Sequence, residues 1–595
     1  MIKELSELGK RLRSDQAEDK WVHNALKEEP ISIEIIISED GDFRGFLTIE
    51  KKLMNVAEAI TAKKGKARLL LDKAEEVLCY GGEQSKKKHQ LFLDKLDDYG
   101  HLTELAPALA FYKNNRKNGV EQALKEFTTV FPDEKTRKGN IGFRIYGEGK
   151  RIHEKDNVRK EIITKYETKQ GQLLAEKQKK CALCGESKYP VEETPHGMIK
   201  RVPAGQTSGC ALVSYNEPAF ESYGLRRNEN SSICTNCART YVEGLNWLLS
   251  VGYELPNKTA KGKNTIFKYS NRKNFGTDTA VVFWTRENKT LPEIDQLEAP
   301  NPDDVAKLIE SVATGTEAVN RYLETDYFYS FALSGAAARI AIRDWIESSL
   351  YNFRSAIAKW FKDISIEAYD SDMKKLRIRY ARLYDLARSC QRRNMDETYD
   401  KNDASLSRTA VYLWNAALKN TQLPMWILTK VLQRARLEKN GVTPDQAALI
   451  KLILNRNNRG GGFMVAERLE QGHRPVAYIC GQVFAKLESI QYAALGDRNA
   501  GIRERYFTYA MTSPAAAFGR LFNLNSKHFT KLRSEKPGLA VTLDRELQDL
   551  CKDVSIEKFP ANFSLEEQGQ FAIGYYHQRQ KQFSSVAQNK SIEEE

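Results

Sequence analysis

Short runs of β-branched and aromatic residues predict strands at three places. Residues 31–38 are rich in isoleucine, residues 281–284 read Val-Val-Phe-Trp, and residues 327–333 run up to Ser334-Gly335. Runs of this length and composition are typical of strands, and a wholly apolar run is typical of a buried strand. We therefore expect a β-containing body in the first part of the chain.

Helical periodicity predicts helices between these strands. Two short amphipathic helices are expected between residues 102 and 131, a charged helix at 155–180, and a helix at 238–252 with its apolar residues on one face. Residues 336–345, with the sequence Ala-Ala-Ala-Arg-Ile-Ala-Ile-Arg-Asp-Trp, are also expected to be helical. This stretch would place Arg339 and Arg343 on one helix face.

Beyond about residue 350 every pattern is helical. Residues 373–393 combine Lys and Arg with apolar residues, which suits either a solvated helix face or a track for a polyanion. Thr443-Pro444-Asp445-Gln446 supplies an N-cap, a proline at the first helical position and a capping box. Residues 455–462 contain no core former and predict a linker between two helical blocks.

Together these patterns predict an α+β fold. A large mixed body is expected at residues 1–300, with a cysteine-rich insertion at about 181–237, because Pro and Asx residues cluster at 300–304. A mainly helical middle region is expected at 301–459. Residues 464–595 are expected to form a C-terminal helical bundle that can fold alone.

Two Cys-x-x-Cys pairs bound the insertion and predict a metal centre. Two thiolates separated by two residues can bind one side of a tetrahedral ion, and a second pair completes a structural zinc site with no open position for catalysis. The predicted ligands are Cys181, Cys184, Cys234 and Cys237. Cys210 or His196 could replace one of them. The alternative is that the four cysteines are reduced and pack as small apolar side chains.

The charge balance indicates a polyanionic partner. The 595 residues include 92 Lys and Arg against 79 Asp and Glu, a formal net charge of +13, and nucleic acid is the usual partner of such a chain, although solubility alone is an alternative. Lys and Arg in two regions are expected to contact phosphates, and the amide and hydroxyl side chains beside them to reach bases. The candidate DNA-binding residues are Lys63, Lys64, Lys66, Arg68, Lys200, Arg201, Gln206, Ser208, Asn216, Arg226, Arg227 and Asn228.

Targeting and redox features favour a cytoplasmic protein. The first residues contain no apolar signal region, and no apolar run approaches the ~18 residues needed to span a membrane. Nine cysteines in a chain of this length, four of them in metal-binding spacing, do not indicate a disulfide framework. We expect no contact with a membrane.

Motifs for catalysis are missing from the sequence. It contains no G-x-x-x-x-G-K-[ST] phosphate loop, no H-E-x-x-H and no zinc-deaminase signature, and its eight histidines are scattered singly. The acid pairs Asp97-Asp98 and Asp303-Asp304 are expected in loop or cap positions, where stabilisation of a helix N-terminus explains them without a metal. We therefore expect a protein that is not an enzyme, and an active site assembled from distant acids is the alternative.

Several stretches together resemble the large subunit of type I-C CRISPR interference complexes, the Cascade surveillance assembly. The ending Phe-Ser-Leu-Glu-Glu-Gln-Gly-Gln-Phe-Ala-Ile-Gly-Tyr-Tyr-His-Gln-Arg at 563–579 is the most specific of them. The other stretches are 211–224, 282–284, 333–343, 423–456 and 490–532. The resemblance covers most of the chain.

The resemblance implies a non-catalytic role in antiviral defence. Such a subunit recognises the short protospacer-adjacent motif on target double-stranded DNA, supports strand separation and R-loop formation, and recruits a helicase-nuclease that degrades the DNA. The implied partners are guide RNA, the backbone and RNA-processing subunits, and small subunits. The family also makes a small subunit from an internal start, for which Met464 is the candidate. The alternative for Met464 is an ordinary methionine after a linker.

Two other functions remain open from the residues alone. A stand-alone zinc-containing nuclease or nucleic-acid-modifying enzyme would need turnover that depends on a divalent metal. An RNA-binding scaffold protein would bind duplexes equally well with and without the correct flanking motif.

Overall fold

The computed structural model describes most of the chain. The described residues are 1–15, 23, 25–57, 60–62, 65–113, 118–176, 179–192, 196–215, 217–256, 265–314, 326–391, 404–438, 441–458, 461–469, 472, 474–496, 501–552, 554 and 560–594. They form a mixed α+β fold with a four-cysteine cluster and a helical C-terminal region, so the predicted fold class is confirmed.

The chain divides into two compact units. One unit, here the N-terminal unit, comprises Ile2–Gly197 and Val213–Gly244. The other, the C-terminal unit, comprises Met1, Met198–Leu212 and Leu245–Glu595. The predicted three-part division at residues 300 and 459 stays a prediction.

The N-terminal unit contains a four-stranded sheet in the order β2-β1-β6-β5. Strand β1 pairs antiparallel with β2 and parallel with β6. The strand predicted at 31–38 is confirmed as part of β1, where Ile33, Ile35 and Ile37 enter the core and Glu34 lies buried on the opposite face. The described strands are β1 (Leu26–Ile37), β2 (Phe43–Ala57), β3 (Ile60–Ala62), β4 (Gly65–Ala67), β5 (Leu71–Lys73) and β6 (Asn140–Ile145).

Helices of the N-terminal unit confirm three sequence predictions. The two amphipathic helices expected between 102 and 131 are α4 and α5, the charged helix is α7, and the helix after the second cysteine pair is α8, which belongs to this unit as far as Gly244. The helices are α1 (Ile2–Ser14), α2 (Ala74–Val77), α3 (Glu83–Asp97), α4 (Ala106–Phe111), α5 (Val120–Val130), α6 (Glu134–Arg137), α7 (Asp156–Glu176) and α8 (Thr235–Ser250).

The C-terminal unit contains an antiparallel sheet in the order β12-β11-β10-β9 and two hairpins, β7-β8 and β13-β14. Strand β10 is buried along its whole length, and β11 lies beside it, so the strands predicted at 281–284 and 327–333 are confirmed. The strands are β7 (Gly252–Pro256), β8 (Thr265–Tyr269), β9 (Arg272–Phe275), β10 (Thr279–Thr285), β11 (Tyr327–Ala336), β12 (Arg339–Ser349), β13 (Ile366–Asp370) and β14 (Lys375–Arg379).

The helix predicted at 336–345 is wrong, because Arg339–Ser349 is the strand β12. Ala336 pairs with Arg339 across a tight turn in which Ala337 has a φ of 54°. Alanine favours helices locally, but the preceding β11 offers a free edge, and pairing with it outweighs that weak preference.

The expectation of helices alone beyond residue 350 is also wrong. The hairpin β13-β14 occupies part of the stretch predicted as a basic helix at 373–393. Lys374 has a φ of 52° and closes the turn, and along β14 exposed basic residues alternate with the half-buried Leu376 and Ile378. This period of two is typical of a strand, and the short helix Leu383–Arg388 begins only after it.

Helices form the rest of the C-terminal unit. The capping box is confirmed, since the Thr443 hydroxyl accepts a hydrogen bond from the Gln446 amide at 3.3 Å and the Gln446 side chain accepts one from the Thr443 amide at 3.0 Å. The helices are α9 (Pro292–Glu298), α10 (Pro302–Thr314), α11 (Leu350–Ile364), α12 (Leu383–Arg388), α13 (Ala404–Lys419), α14 (Met425–Ala435), α15 (Pro444–Asn457), α16 (Val476–Leu495), α17 (Ile502–Thr512), α18 (Pro514–Glu535), α19 (Pro537–Cys551) and α20 (Leu565–Glu594).

The linker predicted at 455–462 is corrected in its first half. Helix α15 continues to Asn457, the Arg456 guanidinium forms an ion pair with Asp363 at 2.7 Å, and the Asn455 side chain hydrogen-bonds the backbone of Val465. Polar side chains that have partners, and not apolar side chains, therefore anchor this segment.

One continuous apolar core runs through the C-terminal unit. It extends from Phe275 in β9 to Tyr576 in α20 and includes α11, α14, α15 and α16. The helices after Met464 therefore share their core with residues before it. Among the described helices, none combines the length and apolar character needed to cross a membrane.

Candidate functional site

The first cysteine pair lies in a tight turn of the N-terminal unit. The Gly185 amide donates to the Cys181 carbonyl at 2.9 Å, and the Cys181 amide donates to the Glu186 carbonyl at 2.9 Å. Gly185 has a φ of 75°, which a residue with a side chain rarely adopts. The glycine thus lets the chain reverse directly after Cys184.

The second pair lies at the start of α8. The Cys234 amide donates to the Cys181 sulfur at 3.4 Å, and the Cys237 amide donates to the Cys234 sulfur at 3.5 Å. A bridge between Val191 and Cys234 and a hydrogen bond from the Thr235 amide to the Pro190 carbonyl hold the two segments together. Backbone amides therefore point at the sulfurs before any ion is considered.

Geometry of the four sulfurs fits a tetrahedral ion. All four Sγ atoms lie within 4.8 Å of one another, and Cys184 and Cys234 are 4.0 Å apart. A tetrahedral site with metal–sulfur bonds of about 2.3 Å places its sulfurs about 3.8 Å apart. Three of the four side chains are buried and Cys184 is half-buried. The described cluster can hold one metal ion. Its four sulfurs would then fill all four positions of a tetrahedral site.

Electrostatics of the cluster favour a thiolate at Cys237, whereas the hydrogen bond to Cys237 raises the pKa of Cys234 and burial raises the pKa of Cys184. A hydrogen bond from the Cys234 side chain lowers the pKa of Cys237, and the positive charge of Lys10 lowers it further. Metal ions bind thiolates and not thiols. Cys237 is therefore prepared to act as a ligand near neutral pH.

Neither alternative ligand joins the cluster. The thiol of Cys210 donates to the Ala337 carbonyl at 3.5 Å in the C-terminal unit. The His196 ring nitrogen Nδ1 lies 2.9 Å from the Tyr241 hydroxyl, and burial lowers the pKa of His196 to about 4. Among the residues that the structure describes, the two Cys-x-x-Cys pairs make up the group by themselves.

Helix α8 is held against α1 by a close backbone approach that the sequence analysis missed. A Cβ atom added at Gly9 would overlap the carbonyl oxygen of Thr240, and one added at Gly244 would meet that of Leu5. The Ser6 and Thr240 hydroxyls are 2.8 Å apart. Glycine within a predicted helix was the available signal, but its partner lies more than two hundred residues away.

The predicted loop at 63–68 is only partly described. Lys63 and Lys64 lie outside the described residues, and Lys66 is described only by its backbone in β4. Arg68 forms ion pairs with Glu29 at 3.3 Å and Asp72 at 3.4 Å and is mostly buried. Its contact with DNA stays a prediction.

The predicted residues of 200–208 lie on an exposed loop of the C-terminal unit. Lys200, Arg201, Gln206 and Ser208 all have exposed side chains. The backbone below them is fixed, since the Arg201 carbonyl accepts from Arg272 at 2.9 Å and the Lys200 amide donates to the Asn246 side chain at 2.8 Å. Arg201 has a φ of 60°, a conformation that this network maintains.

A second exposed loop, residues 218–230, lies between the cysteine pairs in the N-terminal unit. Arg226 and Arg227 are exposed there. The Asn230 amide donates to the carbonyls of Leu225 and Arg227, both at 3.0 Å, and the Arg226 amide donates to the Glu229 carboxylate at 2.8 Å. Asn216 and the side chain of Asn228 lie outside the description.

Tyr223 at the tip of this loop was missed by the sequence analysis. Its side chain is 100% exposed, and its φ of 54° is followed by 72° at Gly224. A tyrosine held in a left-handed conformation and fully exposed to solvent buries nothing in the described chain. The Tyr-Gly pair within a polar stretch was the available signal.

Comparison with known proteins identifies the family. The model of the CRISPR-associated protein family Cas_Csd1 matches residues 5–583, nearly the whole chain. The chain therefore belongs to this CRISPR-associated family. No curated protein matches it at a significant level.

Proposed function

We propose that this chain is the non-catalytic large subunit of a type I-C Cascade complex. In this proposal it recognises the protospacer-adjacent motif on double-stranded DNA, supports strand separation and recruits the helicase-nuclease. Guide RNA, the backbone and RNA-processing subunits and small subunits are its proposed partners. Membership of a CRISPR-associated family and the net charge of +13 support this function.

The observation that carries the proposal is the exposed loop 218–230. Two arginines suit phosphate contacts, and a fully exposed tyrosine suits stacking against a base pair. Hydrogen bonds from Asn230 and to Glu229 fix the backbone, so little conformational entropy is lost on binding. A fixed loop with two exposed arginines and an aromatic tip is therefore proposed to contact the duplex beside the target.

The test uses the complex reconstituted with guide RNA and target duplexes that differ only in the flanking motif. Tyr223→Ala, Arg201→Ala, Arg227→Ala and Lys66→Ala are compared with Arg505→Ala, which removes an exposed arginine of α17. We expect at least one loop variant to weaken motif-dependent binding and an arginine variant to lower its salt dependence. Equal binding to both duplexes by the unmodified complex would contradict the proposal and favour the RNA-binding scaffold.

We propose further that the four-cysteine centre holds structural zinc. The four converging sulfurs and the amide donors to Cys181 and Cys234 support this choice, since zinc accepts four thiolates in a tetrahedron. When bound, the ion would join the two ends of the segment 181–237. Elemental analysis of the purified chain is expected to give one zinc per molecule, and none in Cys181→Ser/Cys184→Ser.

Met464 is proposed as the internal start of a small subunit. It is exposed and precedes a run of helices, α16 to α20. In the full chain Gly569 of α20 packs against Ile450 and Leu454 of α15, so a separate product must cover that surface differently. Met464→Leu is expected to remove the short product on a gel and leave the long one. Persistence of the short product would place its start elsewhere.

A further inference from the structure

A second candidate binding site, with an aromatic ring and two cations, lies between α13 and α14 of the C-terminal unit. Trp426 of α14 is half-buried, and its ring and that of Tyr412 in α13 form a T-shaped contact with ring centres 5.7 Å apart. Ser405, Arg408, Trp426 and Lys430 line a cavity of about 450 Å³. This volume is within the range of about 300–1,000 Å³ that small-ligand sites occupy.

Two cations flank the indole of Trp426. The Arg408 guanidinium lies 5.8 Å from the ring centre and the Lys430 ammonium 5.3 Å from it. Both distances approach the limit of about 6 Å for a cation–π contact. Both cations therefore lie over the ring without close contact, and the cavity that they line with Trp426 gives a flat ligand access to the indole.

The positive charge at this site is not neutralised within the described chain. Arg408 and Lys430 form no ion pair with any residue that the structure describes. An anionic ligand would supply what these groups lack.

We infer that Trp426, Arg408 and Lys430 bind a single-stranded polynucleotide, with a base stacked on the indole and the flanking phosphates on the two cations. A π-face beside cations accepts any base and contacts the backbone on either side. A quaternary ammonium ligand would be repelled by the cations, and free phosphate would leave the indole unused. Whether the strand is DNA or RNA depends on the proposed function. The choice of a single-stranded polynucleotide as the ligand depends only on these residues.

Binding of labelled oligothymidylate and oligouridylate by the full-length chain tests this site. Trp426→Ala is expected to weaken binding about tenfold, the scale of one lost base–aromatic stack, and Trp426→Phe to retain most of it. Arg408→Gln/Lys430→Gln is expected to lower the slope of log K against log salt by about 1.4, that is, about 0.7 for each phosphate contact. The preferred oligonucleotide identifies the strand.

The matched control removes the same charge elsewhere in the unit. Arg520→Gln/Lys527→Gln deletes two exposed cations of α18, one of them beside the ring of Tyr509, and is expected to leave the slope unchanged. Equal effects of the two double variants would overturn the inference. So would unchanged binding by Trp426→Ala with an unaltered unfolding midpoint.

A cross-link in the unsubstituted protein tests the site without a substitution that could disturb folding. An oligonucleotide that carries 5-iododeoxyuridine is expected to cross-link to the peptide containing Trp426, and labelling confined to other peptides would refute the site. Loss of single-strand binding in Trp426→Ala, with flanking-motif discrimination by the assembled complex retained, would separate this site from the proposed reader loop. Failure of motif discrimination in the unsubstituted complex would reject the proposed function and leave the site standing.

Discussion

Two pairs of crossing helices are both packed closely through glycine residues, but the side chains around them differ. In the N-terminal unit α1 meets α8 through Gly9 and Gly244, and in the C-terminal unit α16 meets α20 through Gly481 and Gly574. At each of the four positions an added Cβ would press against a backbone carbonyl of the facing helix. Such close approach of two helices is possible only where the contact residues are glycine.

What surrounds the two crossings differs. Around α16 and α20 lie fully buried aromatic side chains, including Phe484, Phe571 and Tyr575. Around α1 and α8 the contacts include the Ser6–Thr240 hydroxyl pair and the bidentate ion pair of Arg13 with Glu243, at 2.6 and 2.8 Å. The first crossing is stabilised by apolar burial, and the second by polar pairs and by the cysteine centre where α8 begins.

Metal removal should separate the two crossings most strongly. Chelation or Cys181→Ser/Cys184→Ser is expected to expose peptides of 179–244 to hydrogen exchange, because binding of structural zinc contributes on the order of 10 kcal/mol to small zinc domains. Peptides of α16 and α20 should keep their protection. Cys79→Ser, a change outside the cluster, is the control. Unchanged exchange at 179–244 after metal loss would show that the centre does not hold the segment.

Alanine at the glycine contacts should have the next largest effect. Gly481→Ala is expected to destabilise the C-terminal unit by about 1–3 kcal/mol in chemical denaturation, since the methyl group overlaps the Phe571 carbonyl. Gly9→Ala is expected to act similarly on α1 and α8. Gly519→Ala of α18, where nothing lies within 4 Å, should stabilise by about 0.5–1 kcal/mol. An unchanged free energy of unfolding in Gly481→Ala would contradict the close approach of α16 and α20.

Acid should weaken the crossing of α16 and α20 through the buried His577. Burial lowers the pKa of His577 to about 3, and its Nδ1 lies 2.7 Å from the Tyr478 hydroxyl. Between pH 6.5 and this value the unfolded chain binds more protons, so stability falls as pH falls, by about 2 kcal/mol at pH 5. His577→Asn keeps an acceptor and should flatten the pH profile of unfolding between pH 6.5 and 5. An unchanged profile would mean that His577 binds a proton as readily in the folded protein as in the unfolded chain.

The ion pair beside α8 should contribute least. Arg13 and Glu243 are partly exposed, so Arg13→Ala is expected to destabilise the N-terminal unit by about 1 kcal/mol, and by less at high salt. Urea unfolding at two salt concentrations measures this difference. A loss that does not depend on salt would assign the effect to packing of the Arg13 side chain.

Local patterns predicted those parts of the fold that depend on neighbours in sequence. The isoleucine run of β1, the apolar run of β10 and the capping box at Thr443 were readable because burial and capping act over a few residues. The two Cys-x-x-Cys pairs were readable as one cluster for a related reason, since ligand spacing reflects the geometry of the ion.

Only tertiary structure decided the rest. Residues 339–349 became a strand because β11 offered an edge to pair with, although their local preference is helical. The meeting of Gly9 with Thr240, of Gly481 with Phe571, and of Trp426 with Arg408 depends on residues on separate elements. Spacing along the chain contains no information on such contacts, because packing of the core selects which faces meet.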